Sequence, residues 1–201
     1  ELNIPLMYIS TAGIFDGFQD EYNDWDKPNP ISIYGKSKFY SEENILRQSK
    51  KFLILRAGWM MGGGMQKDKK FVNKIINQLL NGKKEIFIVD DKMGTPTYTL
   101  DFAKNAKLLL ENNKFGLYNL VCRGNTSRYE VAKEILKILN LENKIKINKV
   151  SSSYFSEEYF ALRPKSENLI NLKLQLISMD IMRDWKESLE EYLTENYKKL
   201  F

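Results

Sequence analysis

The sequence predicts an α/β fold built on a largely parallel sheet. Short, nearly continuous apolar runs stand at Leu6-Met7-Tyr8-Ile9, Phe52-Leu53-Ile54-Leu55 and Leu117-Tyr118-Asn119-Leu120-Val121. Strands covered on both faces of a parallel sheet read this way, because neither face needs polar residues. Between them lie segments with apolar residues at helical spacing, and the two kinds of segment alternate without repeats or low-complexity tracts. A length of 201 residues suits one domain or a large fragment of one. Hydrophobic residues make up 43% of the chain and aromatics 12%, enough to bury a sizeable core.

The elements follow in order. The first apolar run ends at Ser10-Thr11 and leads into a long loop broken by Gly17, Pro28 and Pro30. Tyr34 to about Gln48 reads as a helix with Phe39, Ile45 and Leu46 on its apolar side. The second strand ends at Arg56-Ala57-Gly58-Trp59, and Gly62-Gly63-Gly64 opens a flexible stretch. Residues 69–81 carry Phe71, Val72, Ile75, Ile76, Leu79 and Leu80 at helical spacing. A strand is expected over 85–89, a turn-rich connection over 90–97, a helix over 100–110 and a strand over 117–121. Ser127-Arg128-Tyr129-Glu130 has the form of a capping box for a helix reaching about Leu139. Lys144 to Val150 reads as an exposed strand, and Asp184 with Glu187 opens a terminal helix through Tyr197.

Charge and composition exclude several classes. The net charge is +5, from 31 basic and 26 acidic residues, and the two signs are interspersed, as in Lys83-Lys84-Glu85 and Lys186-Glu187. No single-sign stripe marks a nucleic-acid partner. The basic excess suits a small anionic substrate, and a solvated surface explains it equally well. There is no histidine, which excludes Ser-His and Cys-His nucleophilic machinery and His-based metal sites. The single Cys122 forms no internal disulfide, which fits a reducing cytoplasm, and it reads as a buried, inert thiol. No apolar run approaches the roughly 20 residues of a membrane span. Glu1-Leu2-Asn3-Ile4-Pro5 lacks the basic and apolar regions of a secretory signal.

The chemistry sits at Tyr34-Gly35-Lys36-Ser37-Lys38, downstream of the strand-end hydroxyls Ser10 and Thr11. On a helix, residues i and i+4 share a face, so Tyr34 and Lys38 point into one cleft. A free phenol titrates near 10, about three units above neutrality, and a nearby ammonium favours phenolate. Tyr34 would then protonate a carbonyl oxygen as hydride reaches the carbon. Thr11 or Ser10 would hydrogen-bond the same oxygen, and Lys38 would reach the ribose of a nicotinamide cofactor. With 11 tyrosines, the spacing alone is expected about once by chance. Tyr129 and Lys133 repeat it in the capped amphipathic helix, where no strand-end hydroxyl precedes them, and they read as surface and structural residues. The strand, hydroxyl, loop and helix in succession distinguish the first pair.

The run Ser10-Thr11-Ala12-Gly13-Ile14-Phe15-Asp16-Gly17, followed by Tyr22, Asp26, Pro30, Tyr34 to Lys38 and Glu42, resembles the extended short-chain dehydrogenases. Arg56-Ala57-Gly58-Trp59 with Gly62, Asp91 to Thr97, Gly116 to Leu120, and Arg163-Pro164 extend the likeness to the dTDP-4-dehydrorhamnose reductase family over most of the chain. The resemblance implies a partial Rossmann-like sheet with a smaller mixed α/β substrate lobe. It implies reduction of a 4-keto group on a nucleotide-activated deoxysugar with NADP or NAD. By position, Thr11 polarises the carbonyl, Tyr34 donates the proton and Lys38 positions the ribose. Ser10, Ala57 and Trp59 border the cofactor; Trp59 and Arg163 meet the substrate. The plainer readings are that Trp59 is core, Arg163 a surface ion-pair partner, and Ser10 and Thr11 merely a strand end.

Three positions depart from the family. Ala12-Gly13 replaces an Asp-Tyr pair, Met60-Met61 a valine–aromatic pair, and Ser166-Glu167 an Asn-Ser pair. Glu167 brings an extra negative charge toward the expected place of an anionic nucleotide. These changes bear on sugar specificity more than on fold, leaving a different sugar, or loss of activity, open. The Gly-rich turn that opens a dinucleotide-binding unit is missing, and Gly62-Gly63-Gly64 does not open such a unit. The chain therefore reads as the later part of a longer enzyme, active little or not at all alone. Residues 1–58 would be the end of the cofactor domain and 59–201 the remainder with the substrate lobe, the two interleaved. A dehydratase would want carboxylates at Ala12-Gly13, and an epimerase a cysteine–histidine pair. A reductase-like regulatory subunit remains the non-enzymatic alternative, and a homodimer is one open assembly.

Overall fold

A computed structural model describes residues 4–157 and 161–201. In chain order the elements are β1 (Leu6–Thr11), a 3-10 turn at Ala12–Ile14, α1 (Ile33–Gln48), β2 (Phe52–Ala57), β3 (Trp59–Met61), α2 (Gly64–Lys67) and α3 (Phe71–Leu80). They continue with β4 (Glu85–Val89), β5 (Met93–Gly94), β6 (Pro96–Tyr98), α4 (Thr99–Glu111), β7 (Gly116–Asn119), β8 (Thr126–Ser127) and α5 (Arg128–Ile138). The last are β9 (Lys146–Val150), β10 (Ser166–Glu167), α6 (Leu172–Leu176) and α7 (Trp185–Asn196).

The central sheet runs β1-β2-β7, all parallel. Its register aligns Ile9 with Leu55 and Tyr118, and Ser10 with Arg56 and Asn119. Neighbours in register point to one face, so the sheet has two distinct sides. Leu53, Leu55, Ala57 and Tyr118 face the large core, which α3, α4, α5 and α7 complete through Ile76, Leu109, Ile135 and Leu189. Arg56 and Asn119 face α1 and a small cluster of Ala12, Ile14, Phe15, Tyr22, Val121 and Leu169. Because β7 comes from the second half of the chain, the two halves interleave in one sheet.

The structure corrects the expectation that the first strand is covered on both faces. β1 is the edge of this sheet, and Leu6, Met7 and Ile9 are 44%, 40% and 44% exposed. The helices of the large core cover β2 and stop short of it. On the other face α1 buries only Gly35 and Glu42 of its sixteen residues. Phe39 packs against the small cluster as expected from its spacing, but Leu46 is exposed. What holds α1 down is polar: Glu42 and Arg56, both buried, form an ion pair at 2.7 Å, and Arg56 reaches the Asp24 carbonyl at 3.4 Å.

Other differences are local. The expected turn region 90–97 contains β5 and β6, which pair with β8 and β10 and with β3 respectively. Ser127 accepts from the Glu130 amide at 3.1 Å as a capping box requires, while Glu130 turns its carboxylate to Lys133. Of the second Tyr–Lys pair on this helix, Lys133 is exposed and paired with Glu130, while Tyr129 is half-buried and packs against the large core, a structural role. The lysine-rich strand pairs with β4, and both edges carry surface ion pairs such as Lys146–Glu85. Among the described residues no helix is long and apolar enough to cross a membrane.

Candidate active site

The C-terminal ends of β1 and β2 lie side by side, with Thr11 opposite Ala57. Ligand crevices of open parallel sheets form at this edge, where the strands release the chain into loops. Thr11 caps the 3-10 turn: its Oγ accepts from the Gly13 amide at 3.1 Å. A hydroxyl has one proton and two lone pairs, so this leaves Thr11 its O–H to donate.

The helix that carries Tyr34 begins against the same turn. Ser32 accepts from the Gly35 amide at 3.0 Å and caps α1. Gly35 is glycine because the helix rests on the Gly13 carbonyl there; a Cβ would collide with that oxygen. This close approach brings the start of α1, and with it Tyr34, to the Thr11–Gly13 turn. Tyr34 itself is 59% exposed, its side chain largely in solvent. One turn on, the Lys38 ammonium donates to the Ile9 carbonyl at 2.7 Å and stands 4.4 Å from the Tyr8 ring centre. Lys38 thus ties α1 to the open edge of β1.

Trp59 closes the other side. Gly58 has room for no side chain against the Thr95 carbonyl, and the Trp59 amide donates to that carbonyl at 2.9 Å. The indole lies flat over Gly94, where a Cβ would overlap the ring. Its N–H donates to Glu167 at 2.8 Å, and the Arg128 guanidinium stands 4.4 Å from the ring centre. Glu167 owes its place to register: β10 pairs with β5 so that Glu167 stands beside Gly94.

Thr11, the start of α1 with Tyr34, and Trp59 through Glu167 therefore converge on one turn. Ala57 is buried at the end of β2. Ser10 is buried facing α1, and its hydroxyl has no partner among the described residues. Arg163 stands apart, exposed on the loop before β10, where Lys92 donates to its backbone carbonyl at 2.9 Å. The Cys122 thiol is buried, accepts from the Tyr98 amide, and has its pKa pushed up by burial, which makes it a poor nucleophile. Sequence reasoning assigned no site role to Gly94 or Arg128, and read Glu167 only as a charge near the nucleotide. The signal that locates them is the glycine at 94, whose missing side chain seats the indole.

The RmlD substrate binding domain family matches residues 1–198. The spore coat polysaccharide biosynthesis protein SpsK of Bacillus subtilis is 34% identical over 96% of this chain and 65% of its own length. The solved dTDP-4-dehydrorhamnose reductase of Bacillus anthracis in complex with NADP superposes with a TM-score of 0.87 at 31% identity, over 95% of this chain and 66% of that one. Methionine adenosyltransferase 2 subunit beta of Danio rerio is 26% identical over 88% of this chain and 55% of its own length. The chain thus spans 55–66% of the length of these relatives.

Proposed function

This chain belongs to the RmlD substrate binding domain family, and on that premise we propose that it is the catalytic and substrate-binding part of a longer NAD(P)H-dependent sugar-nucleotide 4-ketoreductase. The single observation that carries the reading is the rest of Gly35 on the Gly13 carbonyl, which sets the Tyr34 end of α1 against the Thr11 turn. The likeness to a reductase that binds NADP supports it.

Thr11 donates its free O–H to the substrate carbonyl oxygen and polarises it. Tyr34 gives its phenolic proton to that oxygen as it gains charge. Lys38 shares a helix face with Tyr34, and its positive charge stabilises the phenolate left behind. Trp59, fixed by Glu167 and Gly94, provides the flat wall for the sugar ring.

The described residues fit one end of a nicotinamide cofactor. The Lys38 ammonium has three donors and rests on a backbone carbonyl, so donors remain for ribose hydroxyls. Ala57 and Trp59 border the same crevice. When bound, the cofactor supplies the hydride. No glycine-rich turn here suits the pyrophosphate: Gly62 and Gly63 precede only the four-residue α2. The exposed apolar edge of β1 is where we place the docking of a cofactor-binding unit. On this view residues 1–58 complete that unit and 59–201 supply β7 and the substrate lobe.

The test is NADPH oxidation by the full-length protein offered a dTDP-4-keto-6-deoxy sugar, beside Tyr34→Phe. Turnover that falls by 100-fold or more in the variant, roughly the effect of one general acid, supports the reading. A variant that turns over like the wild type removes Tyr34 from the chemistry. A second reading, a non-catalytic binding subunit, is favoured by the likeness to methionine adenosyltransferase 2 subunit beta. It expects no turnover in either protein and partner binding that Tyr34→Phe leaves unchanged.

A further inference from the structure

We propose that Glu167 is a specificity-determining residue, whose carboxylate reads the hydroxyl on the carbon next to the substrate's carbonyl. The inference rests on the reductase reading of this site. One carboxylate oxygen of Glu167 is committed to the Trp59 indole at 2.8 Å. The other turns toward the Thr11–Gly13 turn. A Cβ built on Gly13 would lie 3.6 Å from this Oε1 and 3.5 Å from Thr11 Oγ, so the two oxygens bracket the same point. The group that holds the carbonyl and a carboxylate thus face the same small volume.

An ionised carboxylate accepts hydrogen bonds and donates none. Beside a carbonyl held by Thr11, it selects a substituent that donates. It disfavours a hydrogen or a carboxylate at the same place: the first leaves a half-buried charge unmet, and the second repels it. In a 4-keto-6-deoxy sugar the carbon on one side of the carbonyl carries the methyl group, and the other carries the 3-hydroxyl. The 3-hydroxyl is therefore the group Glu167 accepts from, through a charge-assisted hydrogen bond. The position is fixed by backbone, since β10 and β5 hold Glu167 beside Gly94. Specificity here depends on strand register and on the indole that fills the space over a glycine.

The test compares kcat/KM of the full-length protein for a dTDP-4-keto-6-deoxy sugar and for its 3-deoxy analogue, with NADPH, in wild type, Glu167→Gln and Glu167→Ala. Wild type is expected to favour the 3-hydroxy sugar by about 10- to 100-fold, the size of one charge-assisted hydrogen bond. Glu167→Ala brings the ratio to within about threefold of unity, and Glu167→Gln falls between, because its one amide oxygen stays on the indole while its uncharged NH2 faces the substrate hydroxyl, whose oxygen can accept from it. Glu167→Gln also serves as the variant that keeps Trp59 seated. If Glu167→Ala slows both sugars equally and leaves the ratio untouched, Glu167 only seats Trp59 and the proposal is overturned. If wild type oxidises no NADPH, the same ratio is read from equilibrium binding by the fluorescence change that Trp59→Phe abolishes. A binding ratio that collapses in Glu167→Ala then supports the specificity role while the reductase reading fails. An unchanged ratio overturns the specificity role as well.

Discussion

The two faces of the central sheet are covered by different means. On one, α3 buries Val72, Asn73, Ile75, Ile76 and Leu79 out of ten residues, and joins α4, α5 and α7 in a continuous apolar core. On the other, α1 buries two of sixteen, one of them a glycine and the other a carboxylate. The first face is held by area removed from water, the second by a buried ion pair and a backbone contact. Tyr34 and Lys38 hang from the second, on α1. The Tyr34 helix is thus attached to a rigid sheet through few, directional contacts, and beside it β1 keeps an open apolar edge, where Met7 and Ile9, in register with Leu53 and Leu55, lie beyond the reach of the large-core helices.

The sharpest way to break this comparison is Glu42→Ala. It leaves the Arg56 charge buried without its partner, and a loss of about 3–5 kcal/mol in urea unfolding is expected. A loss under 1 kcal/mol would mean that apolar contacts, not the pair, hold α1. On the opposite face Leu189→Ala removes a fully buried side chain, with an expected cost of about 2–5 kcal/mol.

Asp24 joins the faces and offers a finer test. Its two oxygens accept from the Asn119 amide at 2.6 Å and the Lys173 amide at 2.9 Å. An asparagine offers one acceptor where two are used, so Asp24→Asn is expected to cost about 1–3 kcal/mol. Burial raises the Asp24 carboxyl above its ordinary value of 3.8. The folded state then holds this proton where the unfolded state has released it. Wild-type stability relative to Asp24→Asn should therefore be largest below that value and decline as pH rises through the raised folded pKa. Thermal melts of both proteins in acidic buffers read this directly; a gap that widens with pH would contradict it. The smallest effect belongs to the exposed side of α1, where Leu46→Ala should stay within about 0.5 kcal/mol of wild type by the same unfolding assay.

Helices and longer strands were legible in the sequence because periodicity and capping are local. Ser127 is a clear case, its cap within four residues of its partner. The exposure of β1 was not legible, because a run such as Leu6 to Ile9 looks the same whether or not a layer covers it. β5 and β6 were hidden by Gly94 and Pro96, which read as turn residues; Pro96 is tolerated because it starts its strand. Within the site, Thr11, Tyr34 and Lys38 could be found from one short stretch of chain. The Glu167–Trp59 contact spans 108 residues and depends on the pairing of two two-residue strands, which no local pattern announces.

The most direct test of the account is to titrate the 201-residue chain separately with a dTDP-sugar and with NADPH in a calorimeter, beside the full-length protein. A substrate wall built from Trp59 and Glu167 and a cofactor site left half built beside the open edge of β1 predict that the sugar nucleotide binds both proteins similarly, while NADPH binds only the longer one. NADPH binding this chain as tightly as the full-length protein would contradict that division.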